Sequence, residues 1–451
     1  MAQTAYKYLK FIRFSELSNW DVKTYFGNKS QIFNPNVKIV TGKVFLNEAG
    51  SEKVKIRDTD IYNIIGVRTY GKGAYINRQS QGLDLKMRTY QKTHVNQLIW
   101  CKVDTKNGGF GIVTDQLAGS FASSNMSLSA IKIDKIAIEY LQLLFKAPRF
   151  QQYLDSLVTG TTNRKYISFT QLLEIVNFPL PPLPTQQSLV RAYQAKIDEA
   201  TNCETQAKEL EIKIEKYLME ELGITIETKQ KQDNGYKYLQ FVKFSELDRW
   251  DTWNKKQLIE SSKYVMSKFK DILLAKPKYG SNSKAKKQIT DTRYIRITDI
   301  NEDGTLNDEV VSSEKPDNQY VLKNNDFLIA RSGNTVGKTF LYDIKYGKCI
   351  YAGYLVKYSI NEKIVIPKFI LAYSKATPFK LWINSKQRIS AQPNINGQEY
   401  LDFPLPLPPL PIQNQIVNQI DTWKTQITEL KNTASNLRDS AQAEFEKALF
   451  I

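Results

Sequence analysis

A single histidine, His94, serves a chain of 451 residues. That scarcity excludes HExxH and paired-histidine metal sites and leaves little room for Ser/His or Cys/His catalysis. His94 therefore reads as a structural residue in a strand or loop. Cysteine is nearly as rare: Cys101, Cys203 and Cys349 are odd in number, far apart and without a CxxC pair. This fits a reducing compartment and no disulfide framework. No apolar run approaches about 18 residues, and "MAQTAYKYLKFIRF" lacks the apolar centre of a signal peptide. The expectation is a cytoplasmic protein with no membrane partner.

Nucleotide and cofactor loops are missing too. "SGNTVGKT" (Ser332 to Thr339) is one residue short of GxxxxGK[ST], with Ser332 where the first glycine belongs. The following "FLYDIKYGKCIY" has the pattern of a strand, not of the helix whose N-terminus would hold phosphate. "NGGFGIV" has the glycines of a methyltransferase cofactor loop but neither the strand-to-helix turn nor an NPPY-type companion. The expectation is a binder rather than an enzyme, with no catalytic residue, metal or cofactor.

What is present is repetition. "YKYLKFIRFSELSNWD" (Tyr6 to Asp21) returns as "YKYLQFVKFSELDRWD" (Tyr236 to Asp251), identical at eleven of sixteen positions. "NFPLPPLPTQQ" from Asn177 returns as "DFPLPLPPLPIQN" from Asp402, with two extra residues, and a proline-free tract follows each phrase. In the first tract apolar or small residues fall at Ile197, Ala200, Cys203, Ala207, Leu210, Ile214 and Tyr217. The second has Ile416, Ile420, Trp423, Ile427, Leu430, Ala434, Leu437 and Ala441. Alternating steps of three and four predict two long helices, each with a narrow coiled-coil-type stripe.

The chain thus divides into a first head (1–180), a helix (181–226), a linker (227–235), a second head (236–404) and a second helix (405–451). Strand-like runs such as "NQLIWCKV" and "RYIRITDI" predict mixed α/β heads. Outside the repeated frame the two heads barely resemble each other in sequence. The proline phrases read as rigid junctions between head and helix; as exposed polyproline II segments they would instead mark a scaffold for proline-recognising partners.

Charge separates along the same lines. The net charge of +17 resolves into +11 on residues 1–180 and +10 on 236–404, against −3 on 181–235 and −1 on 405–451. Two basic heads on acidic helices point to a polyanion held by the heads. "GVRTYGKGAYINRQ" carries Arg68, Tyr70, Lys72 and Arg78, and "AKPKYGSNSKAKKQ" carries Lys276, Lys278, Tyr279, Ser281, Lys284, Lys286 and Lys287. With Arg331 they are the candidate DNA-binding residues. Both segments are expected to be loops that reach phosphates and base edges.

The ordered set "GVRTYGKGAYINR", "FPLPPLPTQQ", "RYIRITDINEDG", "FLIARSGNTVGK", "AQPNINGQEYLDFPLP" and "PLPPLPIQNQIV" resembles the specificity (S) subunit of type I restriction–modification systems. "TTNRKYISFTQLLEI" departs from the corresponding stretch of the second half. The resemblance covers nearly the whole chain. It implies an α+β protein with two globular target-recognition domains separated by two long antiparallel helices, in a pseudo-twofold repeat. Each domain would read half of a bipartite, asymmetric double-stranded DNA site, and the helices would set the spacer. Two methyltransferase (M) subunits, which modify adenine, would dock on the helices and opening segments, and restriction (R) subunits would join the full complex. A specificity subunit of a related methylation or defence system is the alternative.

Overall fold

The computed structural model describes residues 32–48, 52–102, 109–157, 167, 169–226, 259–288, 290–386 and 393–451. Both opening segments (6–21 and 236–251) and the linker (227–235) lie outside them. The chain forms two compact units, residues 1–203 with 432–451, and residues 204–431.

In the first unit the strands are β1 (Ile39–Thr41), β2 (Leu46–Glu48), β3 (Lys53–Lys55), β4 (Ile61–Arg68), β5 (Gly73–Gln81), β6 (Thr89–Lys92), β7 (Gln97–Cys101), β8 (Phe110–Ile112), β9 (Phe121–Ala122), β10 (Met126–Ile131) and β11 (Asn177–Pro179). Strands β2-β10-β7-β8 form an antiparallel sheet, and β3-β6-β9-β4-β5 form a second sheet. Helices Ile138–Lys146 and Pro148–Leu157 bury Tyr140, Leu144, Phe145, Phe150 and Leu154 against Leu98, Trp100 and Phe110 of the first sheet. Phe110 and Phe145 stack with centroids 4.1 Å apart. The far end of the chain completes this core, with Phe445, Leu449 and Phe450 almost fully buried in it.

The second unit holds β12 (Thr225–Ile226), β13 (Ile259–Ser261), β14 (Met266–Lys268), β15 (Lys278–Tyr279), β16 (Ala285–Lys286), β17 (Arg293–Ile295), β18 (Ser312–Ser313), β19 (Asp326–Ala330), β20 (Thr339–Leu341), β21 (Cys349–Tyr351), β22 (Leu355–Ser359) and β23 (Pro404–Pro406). Its main antiparallel sheet is β15-β22-β19-β20. Strand β19 is buried at all five positions: Asp326 pairs with Lys357, and the four apolar residues that follow are covered on both faces. Helices Pro367–Tyr373 and Thr377–Lys386 cover the sheet, and Leu218 and Leu222 from the first long helix join their core.

The two heads share a frame that their sequences do not display. Leu98 pairs with Ile112 and Leu128 with Ile99; 229 residues later Phe327 pairs with Leu341 and Lys357 with Leu328. Two stretches that barely resemble each other in sequence therefore carry one ladder. A β-ladder is specified by backbone pairing and by which face is apolar, so unlike side chains maintain the same register. What differs is decoration: a five-stranded sheet in the first head, and the short pairs β16-β18 and β17-β21 in the second.

The proline phrases are strands before they become helix entrances. Strand β11 pairs with β1 (Ile39 with Pro179, Val40 with Phe178), and 227 residues on β23 pairs with β14 (Met266 with Pro406, Ser267 with Leu405). Phe178 therefore corresponds to Leu405, not to Phe403, and both are fully buried. The two extra residues lie ahead of this register rather than at the step into the helix. Proline is tolerated because each pair has only two strands, so no ladder partner is lost on the other edge. Paired in this way, the phrases are not free polyproline ligands.

The long helices span Leu183–Leu222 and Leu410–Leu449, 40 residues each, with Pro184 and Pro411 in their first turns. Within the first unit Lys196 Nζ lies 2.6 Å from Glu444 Oε1, and Tyr193 packs edge-on to Phe445. Within the second, Lys431 Nζ lies 2.7 Å from Glu211 Oε1, and Tyr217 packs edge-on to Trp423. In both units the start of one helix meets the end of the other, so the pairing is antiparallel. The predicted stripe is the buried face at Ala200, Ala207, Ile416, Ile420, Ile427, Ala434 and Ala441.

One glutamine per helix ties it to its head. Gln186 Oε1 accepts from Ala137 N at 2.8 Å, and its Nε2 donates to Pro181 O (2.8 Å) and Lys135 O (3.3 Å). Gln413 repeats the set: Ile366 N at 2.8 Å, Pro408 O at 2.8 Å and Ile364 O at 3.2 Å. Ala137 and Ile366 are the N-cap residues of the head helices, so each glutamine oxygen takes an N–H that the helix itself cannot satisfy.

Lys375 lies in the link between the two head helices of the second unit, and its Nζ donates to Thr339 O at 3.0 Å. Burial lowers its pKa to about 7, opposed by the nearby Asp303 and Glu302 carboxylates; Lys424 and Lys338 add to the lowering. Between pH 7 and 10.5 the unfolded chain binds a proton that the folded chain has released, so this group makes stability rise with pH there. The melting temperature of Lys375→Met minus that of the native protein should therefore fall from pH 7 to about pH 9.5. A constant difference would mean that Lys375 is solvated.

Candidate nucleic-acid interface

In the first unit the basic segment expected to be a loop is mostly a β-hairpin. Arg68 ends β4 and Arg78 lies within β5, while Tyr70 and Lys72 occupy the turn. Tyr70 (φ 58°) and Gly71 (φ 64°) both adopt the left-handed region, which matches the right-handed twist of hairpin strands. Arg68, Tyr70, Lys72 and Arg78 are all exposed. The Arg68 guanidinium lies 4.6 Å from the Tyr75 ring centroid, a cation–π contact that stiffens a long side chain. Three glycines and clustered charge favour a loop in the sequence; backbone pairing overrides them.

In the second unit the basic segment folds as β15, a bend and β16. Lys276, Lys278, Lys284 and Lys287 are exposed and Lys286 is half-buried. Ser281 does not belong with them. It is 5% exposed, its Oγ accepts from Ser283 N at 3.1 Å, and its carbonyl accepts from Gly353 N and Tyr294 Oη. Its hydroxyl shapes the bend and is not available to a ligand.

Tyr279 and Arg331 come together across 52 positions of sequence. The Arg331 guanidinium lies 5.0 Å from the Tyr279 ring centroid, and Tyr279 Oη accepts from Gly397 N at 3.0 Å. The stretch around Gly397 is held in turn: Asn396 Oδ1 accepts from Gln398 N and Glu399 N, Asn396 N donates to Glu399 Oε2, and Tyr358 Oη donates to Gly397 O. Tyr354, 59% exposed, and exposed Asn394 flank Arg331 through backbone pairing and were not foreseen as site residues. "AQPNINGQ" was visible in the sequence, but only the fold places it beside Tyr279.

"SGNTVGKT" forms a 3-10 turn, Gly333–Thr335, and leads directly into β20, so no helix N-terminus faces it. His94 is half-exposed, with Nε2 3.2 Å from Glu52 Oε2. Among the described residues no group of three or more His, Cys, Asp or Glu could hold a metal ion, and no helix is long and apolar enough to cross a membrane.

Residues 261–437 match the family described as "Type I restriction modification DNA specificity domain". The fold is similar to a chain from a structure titled as the basis of complex assembly and conformational transition of the type I R-M system. That match has a TM-score of 0.58 and 16% identity, and covers 92% of this chain and 98% of the other. The HsdS subunit from Thermoanaerobacter tengcongensis gives a TM-score of 0.46 at 15% identity, over 92% and 97% of the two chains. The type I S subunit from M. genitalium gives 0.46 at 12%, over 91% and 97%. No curated protein sequence matches the chain.

Proposed function

We infer, for a chain that carries a type I restriction–modification DNA specificity domain, that it is the non-catalytic subunit through which such a complex recognises its DNA. The observation that carries this reading is the concentration of exposed cations on both heads beside stacked Arg–Tyr pairs, while the helical tracts are net acidic. Phosphate neutralisation supplies sequence-independent affinity, and fixed side chains between those anchor points supply discrimination. Arg68, Tyr70, Lys72 and Arg78 serve one half of a bipartite site. Lys276, Lys278, Tyr279, Lys284, Lys286, Lys287 and Arg331 serve the other.

Both long helices contribute residues to both units, which supports their role in setting the spacer between half-sites. Two methyltransferase subunits dock on the helical region, where Asn414, Gln415, Asn418 and Gln419 line an amide-rich groove beside Tyr217, and restriction subunits join the full assembly. The chain works in the cytoplasm, where its DNA is.

Replacing Lys284, Lys286 and Lys287 together by alanine tests the interface. DNA affinity should fall, and the slope of log K against log salt should flatten by about 0.9 for each phosphate that is no longer neutralised. Titration at several salt concentrations measures this. An unchanged slope would remove these lysines from the interface.

A further inference from the structure

Arg331 differs from the other described arginines of the second unit, Arg293 and Arg296, in that its guanidinium has no acceptor. Arg293 donates to Asn307 O and Glu309 O, and Arg296 pairs with Asp299 and Glu309. Lys338 pairs with Glu302, and Lys357 with Asp326. Arg293 and Arg331 both bury Nε without a partner, but Arg293 Nη2 reaches two carbonyls, whereas the Arg331 side chain makes no hydrogen bond or ion pair with any described residue. An enclosed guanidinium nitrogen without an acceptor costs free energy that a fold does not ordinarily accept.

The side chain is nevertheless held. Arg331 N donates to Tyr354 O at 3.0 Å, Ile395 N donates to Arg331 O at 2.9 Å, and the Tyr279 ring lies under the guanidinium. With Nε enclosed, the two terminal nitrogens are the donor pair left without an acceptor, on a guanidinium that the Tyr279 ring holds from one face. Two acceptor groups match that pair on DNA, a phosphate and the O6/N7 edge of guanine. The exposed Lys276, Lys278, Lys284 and Lys287 already supply flexible cations that can follow a phosphate backbone. A held donor pair adds nothing to that task, but it does distinguish guanine from the other bases in the major groove.

We propose that Arg331, preset by Tyr279, is a specificity-determining residue that reads a guanine O6/N7 edge in the half-site of the second unit. This rests on the DNA-recognition reading above. Selection of bound duplexes from a randomised pool, with the full chain, tests both. The native protein should prefer guanine at one position. Arg331→Ala and Arg331→Lys should lose that preference by roughly 5- to 150-fold while keeping the other positions. Replacing that guanine by 7-deazaguanine, which lacks the N7 acceptor, should weaken the native protein and leave Arg331→Ala unaffected.

Melting temperatures show whether each variant is folded; if neither is, the 7-deazaguanine duplex with native protein decides. Retention of the preference by both variants would overturn the assignment. So would equal weakening on all sequences with a salt slope smaller by about one, the signature of a bound phosphate. A native protein with no sequence preference would instead overturn the DNA-recognition reading, and this proposal with it.

Discussion

Gln413→Leu is expected to destabilise the second unit by about 2–4 kcal/mol, because it strands one buried and two half-buried backbone groups at once. Ile366 N is left without its acceptor, and Pro408 O and Ile364 O without their donor. Leucine has nearly the volume of glutamine, so the effect is not one of packing. Gln413→Glu should recover little: it restores an acceptor for Ile366 N but places a carboxylate against two carbonyl oxygens. Gln186→Leu should cost the first unit a similar amount, since Gln186 holds the matching three groups and is likewise fully buried. Chemical denaturation of the single and double variants measures both. A cost below about 1 kcal/mol would mean that water replaces the amide, and that the glutamines do not tie the helices to their heads.

Gly280→Ala is expected to cost about 3 kcal/mol or more and to disorder the bend that carries Tyr279. A methyl group there would lie 2.3 Å from Ala352 O and 2.4 Å from Tyr351 O, both backbone atoms with no rotamer to change. Moving them breaks the links between Ser281 N and Tyr351 O and between Gly353 N and Ser281 O, which support the bend after Tyr279. Gly333→Ala is the control. Gly333 has φ 71° but open space around its Cα, so alanine there carries only the left-handed backbone penalty of about 1–2 kcal/mol. Thermal unfolding and DNA affinity should rank Gly280→Ala well below Gly333→Ala. Equal effects would show that close approach at Gly280 is not what the site depends on.

These residues also mark how far the sequence can be read. The stripe from Ile197 to Tyr217 and from Ile416 to Ala441 was legible because a helix is built from local hydrogen bonds, and its buried face must recur every three or four residues. The duplication and the partition of charge were legible for a similar reason: both are properties of the chain order. The strand character of the segment after "SGNTVGKT" followed from local pattern as well.

The paired prolines, the common sheet of the two heads and the company kept by Arg331 were decided only by tertiary structure. Asn177–Pro179 reads as polyproline until β1, 138 residues earlier by its own start, offers it a partner. Ser281 reads as a ligand-facing hydroxyl until the bend turns it inward. The sheet register shared by Leu98–Ile112 and Phe327–Leu341 leaves no trace in residue identity, because a ladder is made by backbone groups that every residue carries. The sequence by itself determined the repeat, the two helices and the charge of the heads, since each is written in neighbouring residues. Which side chains meet at Tyr279 and Arg331 depends on long-range backbone pairing, and only the folded chain supplies it.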